Sequence, residues 1–272
     1  MKTVLKWHGG KAYLAKKIIE LLPPRDTWHL WREPYFGGGS VTFALDPEGI
    51  SEAVNDVNAE LFNFWKVLQD PITAMILQWG LENTPLSEKR FREALYSEHV
   101  QEAGIDTDGA INFFIRNRQS RQGLGRDFAT PTTRVRRGMN ENVSAWLSAI
   151  DGLPEFHKRL RRIEIRNMDA LDFIKKYDHP KAVFYCDPPY LHETRTSTGE
   201  YREHEMTQGQ HEELLNILSS IKGRFLLSGY PSAMYQCFAD ESDWRRVDFE
   251  IDNKASGGKT KPKKVECVWM NY

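Results

Sequence analysis

Trp28-His29-Leu30-Trp31-Arg32-Glu33-Pro34-Tyr35-Phe36-Gly37-Gly38-Gly39-Ser40 decides the fold of this chain. Its apolar start, Trp28 to Trp31, reads as a short strand that runs into a proline, two aromatics and three glycines. Glycines between a strand and a helix let the backbone approach a ligand and leave amide donors free at the helix start. Val41 to Leu45 can open that helix. Ser51 to Asp56 reads as a second strand ending in an acid, and Asn58 to Leu68 as a helix with Leu61, Phe64, Trp65 and Leu68 on one face. Strand, glycine loop, helix, strand, acid, helix opens a doubly wound α/β sheet. An acid at the end of the second strand is where such sheets hold ribose hydroxyls, so Asp56 points to an adenosyl cofactor.

Upstream, Lys11 to Leu22 reads as an amphipathic helix stopped by Pro23-Pro24. Lys6-Trp7-His8-Gly9-Gly10-Lys11 sets an aromatic, two flexible residues and two cations just before it. Downstream, from about Asp70 to about Ile163, the rhythm breaks. Apolar spacing over 72–81 and 88–96 predicts helices, and the polar, Arg-rich stretch 116–142 is punctuated by Gly123, Gly125, Pro131 and Gly138. This is the pattern of an inserted helical subdomain with an exposed basic loop. The α/β rhythm then returns, with strands expected at 162–165, 182–186, 224–228, 244–251 and 265–270 and helices at 170–177 and 209–221.

One returning strand, Ala182-Val183-Phe184-Tyr185-Cys186, ends in Asp187-Pro188-Pro189-Tyr190. Two prolines fix φ and remove two backbone donors. The surrounding carbonyls then lack local partners. With a carboxylate acceptor and a ring that can stack, the result is a rigid clamp suited to an exocyclic amino group on a planar base. A Pro-rich turn closing a strand is the plainer alternative.

Composition narrows the class. The chain has 272 residues, 40% hydrophobic and 28% charged, as soluble globular proteins do. No apolar run approaches the ~20 residues of a membrane span, and Met1 to Trp7 lacks the core of a signal peptide. Cys186, Cys237 and Cys267 are odd in number and widely spaced, which fits reduced thiols in a cytoplasm and no Cys-based zinc site. No two histidines have ligand spacing with an acidic third partner, so no metal is expected; His192, His204 and His211 read as surface or supporting groups. Gly258-Lys259-Thr260 looks like the end of a phosphate loop, but the first glycine of that motif would fall at Asn253.

The net charge of −1 conceals an asymmetry. Arg116, Arg118, Arg121, Arg126, Arg134, Arg136 and Arg137 face a single acid, Asp127, over that stretch. Lys158, Arg159, Arg161, Arg162 and Arg166 form a second cluster, and Lys254, Lys259, Lys261, Lys263 and Lys264 a third. Three basic runs on one chain suit a nucleic-acid partner.

Taken in order, Lys6-Trp7-x-Gly9-Gly10-Lys11, Glu33-Pro34-Tyr35-x-Gly37-Gly38-Gly39-Ser40, Asn55-Asp56-x-Asn58 and Asp187-Pro188-Pro189-Tyr190 resemble the Dam-type (D12 class) DNA adenine-N6 methyltransferases. Lys264-Val265-Glu266-x-x-x-x-Asn271 matches that family's closing motif. Tyr35 stands where the family usually has Phe, and His8 falls at a variable position. The resemblance spans nearly the whole chain. It implies a Rossmann-like, S-adenosylmethionine-dependent methyltransferase sheet. Residues 1–70 and 163–272 would form the catalytic domain and 71–162 an inserted, mainly helical target-recognition subdomain.

The resemblance also implies roles. Trp7, Gly10 and Lys11 lie near the cofactor and the flipped base. Tyr35, Gly37 and Gly39 wrap the methionine end, Asp56 holds the ribose, and Asp169 contacts the cofactor adenine. Asp187, Pro188, Pro189 and Tyr190 form the catalytic clamp, and Asp187 also borders the cofactor. Lys11 and the seven arginines at 116, 118, 121, 126, 134, 136 and 137 contact double-stranded DNA. The implied setting is the cytoplasm of a bacterium or archaeon, or a phage, and a cognate restriction endonuclease stays open as a partner. So do an RNA or protein-amide acceptor and a non-catalytic DNA-binding relative. The recognition sequence is not legible; hairpin features associated with GATC-specific relatives are not evident in 112–142.

Overall fold

The computed structural model describes residues 3–7, 9–97, 104–194, 204–252 and 263–272. His8, Lys254, Lys259, Lys261 and the 258–260 segment, named above, lie outside the described residues. In chain order the strands are β1 (Leu30–Glu33), β2 (Ser51–Asn55), β3 (Val135–Arg136), β4 (Met139–Asn140), β5 (Ile163–Arg166), β6 (Ala182–Cys186), β7 (Arg224–Gly229), β8 (Arg245–Asp252) and β9 (Lys263–Met270). The α-helices are α1 (Ala15–Glu20), α2 (Ala59–Gln69), α3 (Pro71–Glu82), α4 (Glu88–Tyr96), α5 (Thr107–Gln119), α6 (Glu141–Asp151), α7 (Leu153–Leu160), α8 (Ala170–Tyr177), α9 (Gln208–Ser220) and α10 (Ala233–Glu241). No described helix is long and apolar enough to cross a membrane.

The chain divides into two compact units. One comprises Leu21–Phe36, Pro47–Val57 and Met168–Tyr272. It holds six strands of the sheet in the order β2-β1-β6-β7-β9-β8. The first four run parallel, and β9 is antiparallel to both its neighbours. Every residue of β6 is buried, as expected for a central parallel strand covered on both faces. Phe184, Phe225, Leu214, Leu218 and Trp269 belong to its core, and the rings of Trp31 and Tyr185 stack at 6.3 Å. Asp169 caps α8, its Oδ1 accepting from the amides of Leu171 (2.8 Å) and Asp172 (3.2 Å).

The main differences from the sequence reading in this unit are at β1 and α10. β1 lies two residues later than expected because Arg32 and Glu33 are buried despite their charge. Arg32 Nη1 donates to Trp31 O and Ser51 O, and its guanidinium lies 5.2 Å from the Tyr177 ring centre. Helix α10 was not anticipated; its sequence, AMYQCFADE, buries only Tyr235 and Ala239 and shows little periodicity.

The other unit comprises Met1–Glu20, Gly37–Asp46 and Asn58–Asn167. It is mainly helical, with α2 packed against α3, α5 and α7. Phe64 meets Trp65, Phe113 and Phe114, and Phe43 meets Trp65 and Phe156. Side chains at the helix starts explain the boundaries: Asn58 caps α2, Asp70 with Pro71 opens α3, Ser87 caps α4 and Asp106 caps α5. α1 begins only at Ala15, since residues 12–14 form a turn. Val41 to Leu45 makes a single 3-10 turn, Thr42–Ala44, rather than a helix, and Asp46-Pro47 follows it.

The stretch expected as a basic loop from 116 starts as helix. Ala110, Phe113, Phe114 and Asn117 of α5 are buried at helical spacing, carrying Arg116 and Arg118 into its last turn. A short hairpin also lies within 112–142, a stretch whose sequence lacks the hairpin features associated with GATC-specific relatives: Val135 pairs with Asn140 and Arg136 with Met139. Its two linking residues, Arg137 (φ 54°) and Gly138 (φ 74°), have the positive φ values that two-residue hairpin turns require.

Candidate active site

In the sheet-bearing unit, β1 leads to β2 on one side and β6 leads to β7 on the other, so the strand order reverses between β1 and β6. Ligands of such sheets bind beyond the carboxyl ends of the strands at this switch point. The segments that emerge there are Pro34-Tyr35 after β1 and Asp187-Pro188-Pro189-Tyr190 after β6. Asp56 follows β2 directly and is part-exposed.

Asn55, fully buried at the end of β2, ties the segment after β1 to the segment before α8. Its Nδ2 donates to Pro34 O (3.1 Å) and Met168 O (3.0 Å), and its Oδ1 accepts from Met168 N (3.0 Å). Phe36 N donates to Asn55 O at 2.8 Å. One amide side chain and its own carbonyl therefore set Tyr35, Asp56 and Asp169 relative to one another. Asp169 is exposed, with one carboxylate oxygen already used as a helix cap. The phenol of Tyr35 is pushed above its ordinary pKa by burial first, then by Cys186, Tyr235 and Asp169 nearby.

Asp187 is half-buried and Pro188 buried. Its carboxylate is felt by Cys186, Tyr190 and Tyr235, whose pKa values all rise, chiefly through burial. Tyr190 is only 7% exposed and is held at two points. Its hydroxyl donates to Glu266 Oε1 at 2.6 Å, and its ring meets Tyr230 in a T-shaped contact at 4.7 Å. The β7–β9 register explains this: Gly229 pairs with Cys267, so the neighbouring Tyr230 and Glu266 stand at the same end. Glu266 is itself 1% exposed. Asn271 closes the sheet, accepting from Phe225 N and donating to Gly223 O.

The second unit brings together Trp7, Gly10, Lys11, Gly37 and Gly39. The indole of Trp7 lies across the glycine loop. A Cβ on Gly37 would sit 2.4 Å from Trp7 Nε1, and one on Gly38 would sit 2.9 Å from Trp7 Cβ. Gly37 and Gly39 also have positive φ. The glycines are thus required by a packed tryptophan as well as by backbone conformation, a reason the sequence did not disclose. Trp65 Nε1 donates to Gly37 O at 3.1 Å and fixes the loop from α2. Lys11 is buried and donates to Gly9 O at 2.8 Å.

The N-terminal segment is laced to the end of α5. Asn117 pairs with the Lys6 backbone in both directions, Lys6 N to Oδ1 at 2.8 Å and Nδ2 to Lys6 O at 2.9 Å. Lys6 Nζ donates to Arg118 O (2.7 Å) and Ser120 O (3.3 Å). Burial, with the Arg118 charge behind it, brings its pKa down to about 8.

The arginines separate into two sets. Arg116 pairs with Glu60 and donates to Ala94 O; Arg118 donates to Ala145 O, and burial lowers its pKa to about 10. Arg121, Arg126, Arg134 and Arg136 are exposed, as is Arg137, which donates to Ser148 Oγ. Among the described residues no cluster of His, Cys, Asp and Glu could hold a metal ion. His192 pairs with Glu205 at 3.4 Å, and buried His211 meets the Tyr235 hydroxyl at 2.9 Å.

The donor set fits an adenosyl cofactor: a carboxylate after β2 for vicinal hydroxyls, a part-buried Tyr35 after β1 and a second carboxylate, Asp169, before α8. Such a sheet, with Asp-Pro-Pro-Tyr at its switch point, defines the protein as a Rossmann-like methyltransferase. The chain belongs to the D12 class N6 adenine-specific DNA methyltransferase family, whose sequence pattern matches residues 7–245. It is similar to the Type II methyltransferase M.MjaIII of Methanocaldococcus jannaschii, with 26% identity over 73% of this chain and 72% of the relative. It is 28% identical to the retron Ec67 DNA adenine methylase of Escherichia coli over 70% of this chain and 64% of that protein. It is 27% identical to the DNA N-6-adenine-methyltransferase of Escherichia phage P1, over 82% of this chain but 28% of that longer protein.

The motif that contains Glu266 assigns it no role, and nothing in the sequence marks Tyr230. A buried acid in an otherwise apolar closing strand, Val265-Glu266-Cys267-Val268-Trp269, was the available signal for the first.

Proposed function

We propose that this chain transfers a methyl group from S-adenosylmethionine to N6 of an adenine extruded from duplex DNA, with Asp187 at the centre of the chemistry. The observation that carries the reading is the position of Asp187, half-buried at the sheet's switch point, three residues before a tyrosine fixed by Glu266 and Tyr230. Bound S-adenosylmethionine supplies an electrophilic methyl on a sulfonium centre.

The chain's residues supply the rest. The N6 lone pair is delocalised into the ring and is a poor nucleophile. Asp187 and the Pro188 carbonyl accept its two N–H bonds and favour a more tetrahedral nitrogen. As the N–C bond forms and the C–S bond breaks, Asp187 is the acceptor in place for the proton the amine sheds. Pro189 stiffens the turn, and Tyr190 offers the ring on which the extruded base stacks. Extrusion costs a few kcal/mol; Tyr190, already ordered, adds little entropy to that cost. Asp56 takes the ribose hydroxyls, Asp169 the cofactor adenine with its remaining oxygen, and Tyr35, Gly37 and Gly39 the methionine end. Trp7, Gly10 and Lys11 border the cofactor and the base. Buried Lys11 suits that role better than a phosphate contact.

For DNA we assign backbone contacts to the exposed Arg121, Arg126, Arg134, Arg136 and Arg137. Arg116 and Arg118 support them from inside by shaping the end of α5. Residues 71–162, with the hairpin, form the recognition part, and residues 1–70 and 163–272 the catalytic part. The Type II name of the M. jannaschii relative supports a restriction-endonuclease partner. Resistance of methylated DNA to an endonuclease encoded beside the gene tests that.

The central test is Asp187→Ala. Labelled methyl transfer to unmethylated duplex DNA should vanish while calorimetric cofactor binding stays nearly intact. Near-normal transfer by the variant refutes the assignment.

A further inference from the structure

We infer that Glu266 is a positioning residue for methyl transfer, acting on the target base only through Tyr190. The inference rests on the reading of Tyr190 as the surface on which the extruded adenine stacks. Pro188 and Pro189 fix the backbone of the clamp, whereas the orientation of the Tyr190 ring is set by rotation about its own χ angles. The structure provides the restraint elsewhere. The Tyr190 hydroxyl donates to Glu266 Oε1 at 2.6 Å, and both residues are buried, at 7% and 1% exposure. A charge-assisted O–H to carboxylate hydrogen bond is short and strong, and it pins the far end of the ring. Tyr230 abuts the ring at 4.7 Å and 77°, which restricts rotation about the long axis, and Lys264 Nζ lies 4.9 Å from the Tyr230 ring centre.

Glu266 is therefore placed by β9 to act on a residue that follows β6, two strands away in the sheet order. A carboxylate kept at 1% exposure in a closing strand is costly unless it is satisfied and useful. The hydrogen bond to Tyr190 satisfies one of its oxygens, and a fixed ring plane is the use. A stacking surface that wobbles misplaces the amino group relative to the methyl donor, and such misplacement is felt in the rate rather than in cofactor affinity.

The test is a double-mutant cycle on kcat/KM for unmethylated duplex DNA from a methylation-deficient host. Tyr190→Phe deletes the donor, Glu266→Leu deletes the acceptor, and Glu266→Gln keeps an acceptor oxygen at nearly the same volume. Tyr190→Phe and Glu266→Leu should each lower kcat/KM by about 10- to 100-fold. The double variant should be no worse than the weaker single, Glu266→Gln should stay within about threefold of the parent, and cofactor Kd should not move in any of them. If Glu266→Leu does not fold, Glu266→Ala replaces it in the cycle, and Tyr190→Phe, which keeps the ring, must by itself lower kcat/KM by about 10- to 100-fold. Losses that multiply in the double variant, parental activity in Glu266→Leu, or a matching loss of cofactor binding overturns the inference. Tyr190→Ala separates the layers. If that variant retains transfer, the stacking reading fails; if it is inactive while Tyr190→Phe and Glu266→Leu remain active, only the positioning inference fails.

Discussion

Asn55→Ala should loosen the cofactor side of the site and destabilise the sheet-bearing unit together. The Asn55 side chain makes three hydrogen bonds, two to carbonyls and one from an amide, at 3.0–3.1 Å with no exposure to solvent. Each such bond contributes about 0.5–1.5 kcal/mol net, and orphaning buried partners adds to the loss, so about 2–4 kcal/mol is expected. With a urea m-value of about 2–3 kcal/mol/M, the unfolding midpoint followed by tryptophan fluorescence should fall by about 1 M. Because the same amide sets Tyr35, Asp56 and Asp169, cofactor affinity should weaken by about tenfold or more, equivalent to about 1.4 kcal/mol. Asn55→Asp should be no milder. It keeps the acceptor for Met168 N but aims a carboxylate at two carbonyl oxygens in a buried site. A midpoint shift below about 0.2 M with unchanged cofactor affinity, or an Asp variant milder than the Ala variant, would show that this clamp does not organise the site.

Replacing Arg121, Arg126, Arg134 and Arg136 by Gln should weaken DNA binding and flatten its dependence on log salt by up to about 0.9 per lost phosphate contact, with cofactor Kd unchanged; an unaltered salt slope in fluorescence titration rules out those contacts. Gly123→Ala should lower thermal stability by at least about 2 kcal/mol, or about 5 °C, by calorimetry, because its φ is +79° and a Cβ would stand 2.0 Å from Lys6 O; a melting temperature equal to the parent's contradicts this. Alkaline pH should destabilise the fold. Burial raises the phenols of Tyr35, Tyr190, Tyr235 and Tyr272 above the ordinary 10.0, so the unfolded chain loses those protons first and stability falls as pH rises past 10. A urea midpoint that is level between pH 9 and pH 11 would refute it.

Much of the sheet was legible because its signals are local. Ala182 to Cys186 is a continuous apolar run, and Asp169 announces α8 as a cap does, so both elements fall where the sequence places them. What stayed hidden depends on tertiary partners. Arg32 and Glu33 extend β1 only because backbone carbonyls and Tyr177 receive the guanidinium. Arg116 and Arg118 read as loop charges, yet α5 buries the residues between and before them. The glycine loop was read as space for a ligand; Trp7, thirty residues earlier in the chain, is what lies against it. The same holds at the catalytic clamp. Asp187-Pro188-Pro189-Tyr190 stands out in sequence, but the partner of its tyrosine, Glu266, is identified only by the antiparallel register of β9.

The lacing of Lys6 to Asn117 and Gly123 bears on how target specificity can be exchanged between relatives. A recognition segment cut from another member and spliced in at 116–126 arrives without the amide that mimics a backbone partner for Lys6, and without the bare Cα on which the Lys6 carbonyl rests. The natural border for such a graft lies beyond Gly123. Chimaeras that keep residues up to Gly123 and take their exposed arginines and hairpin from a donor should inherit new sequence preferences with the N-terminal motif undisturbed.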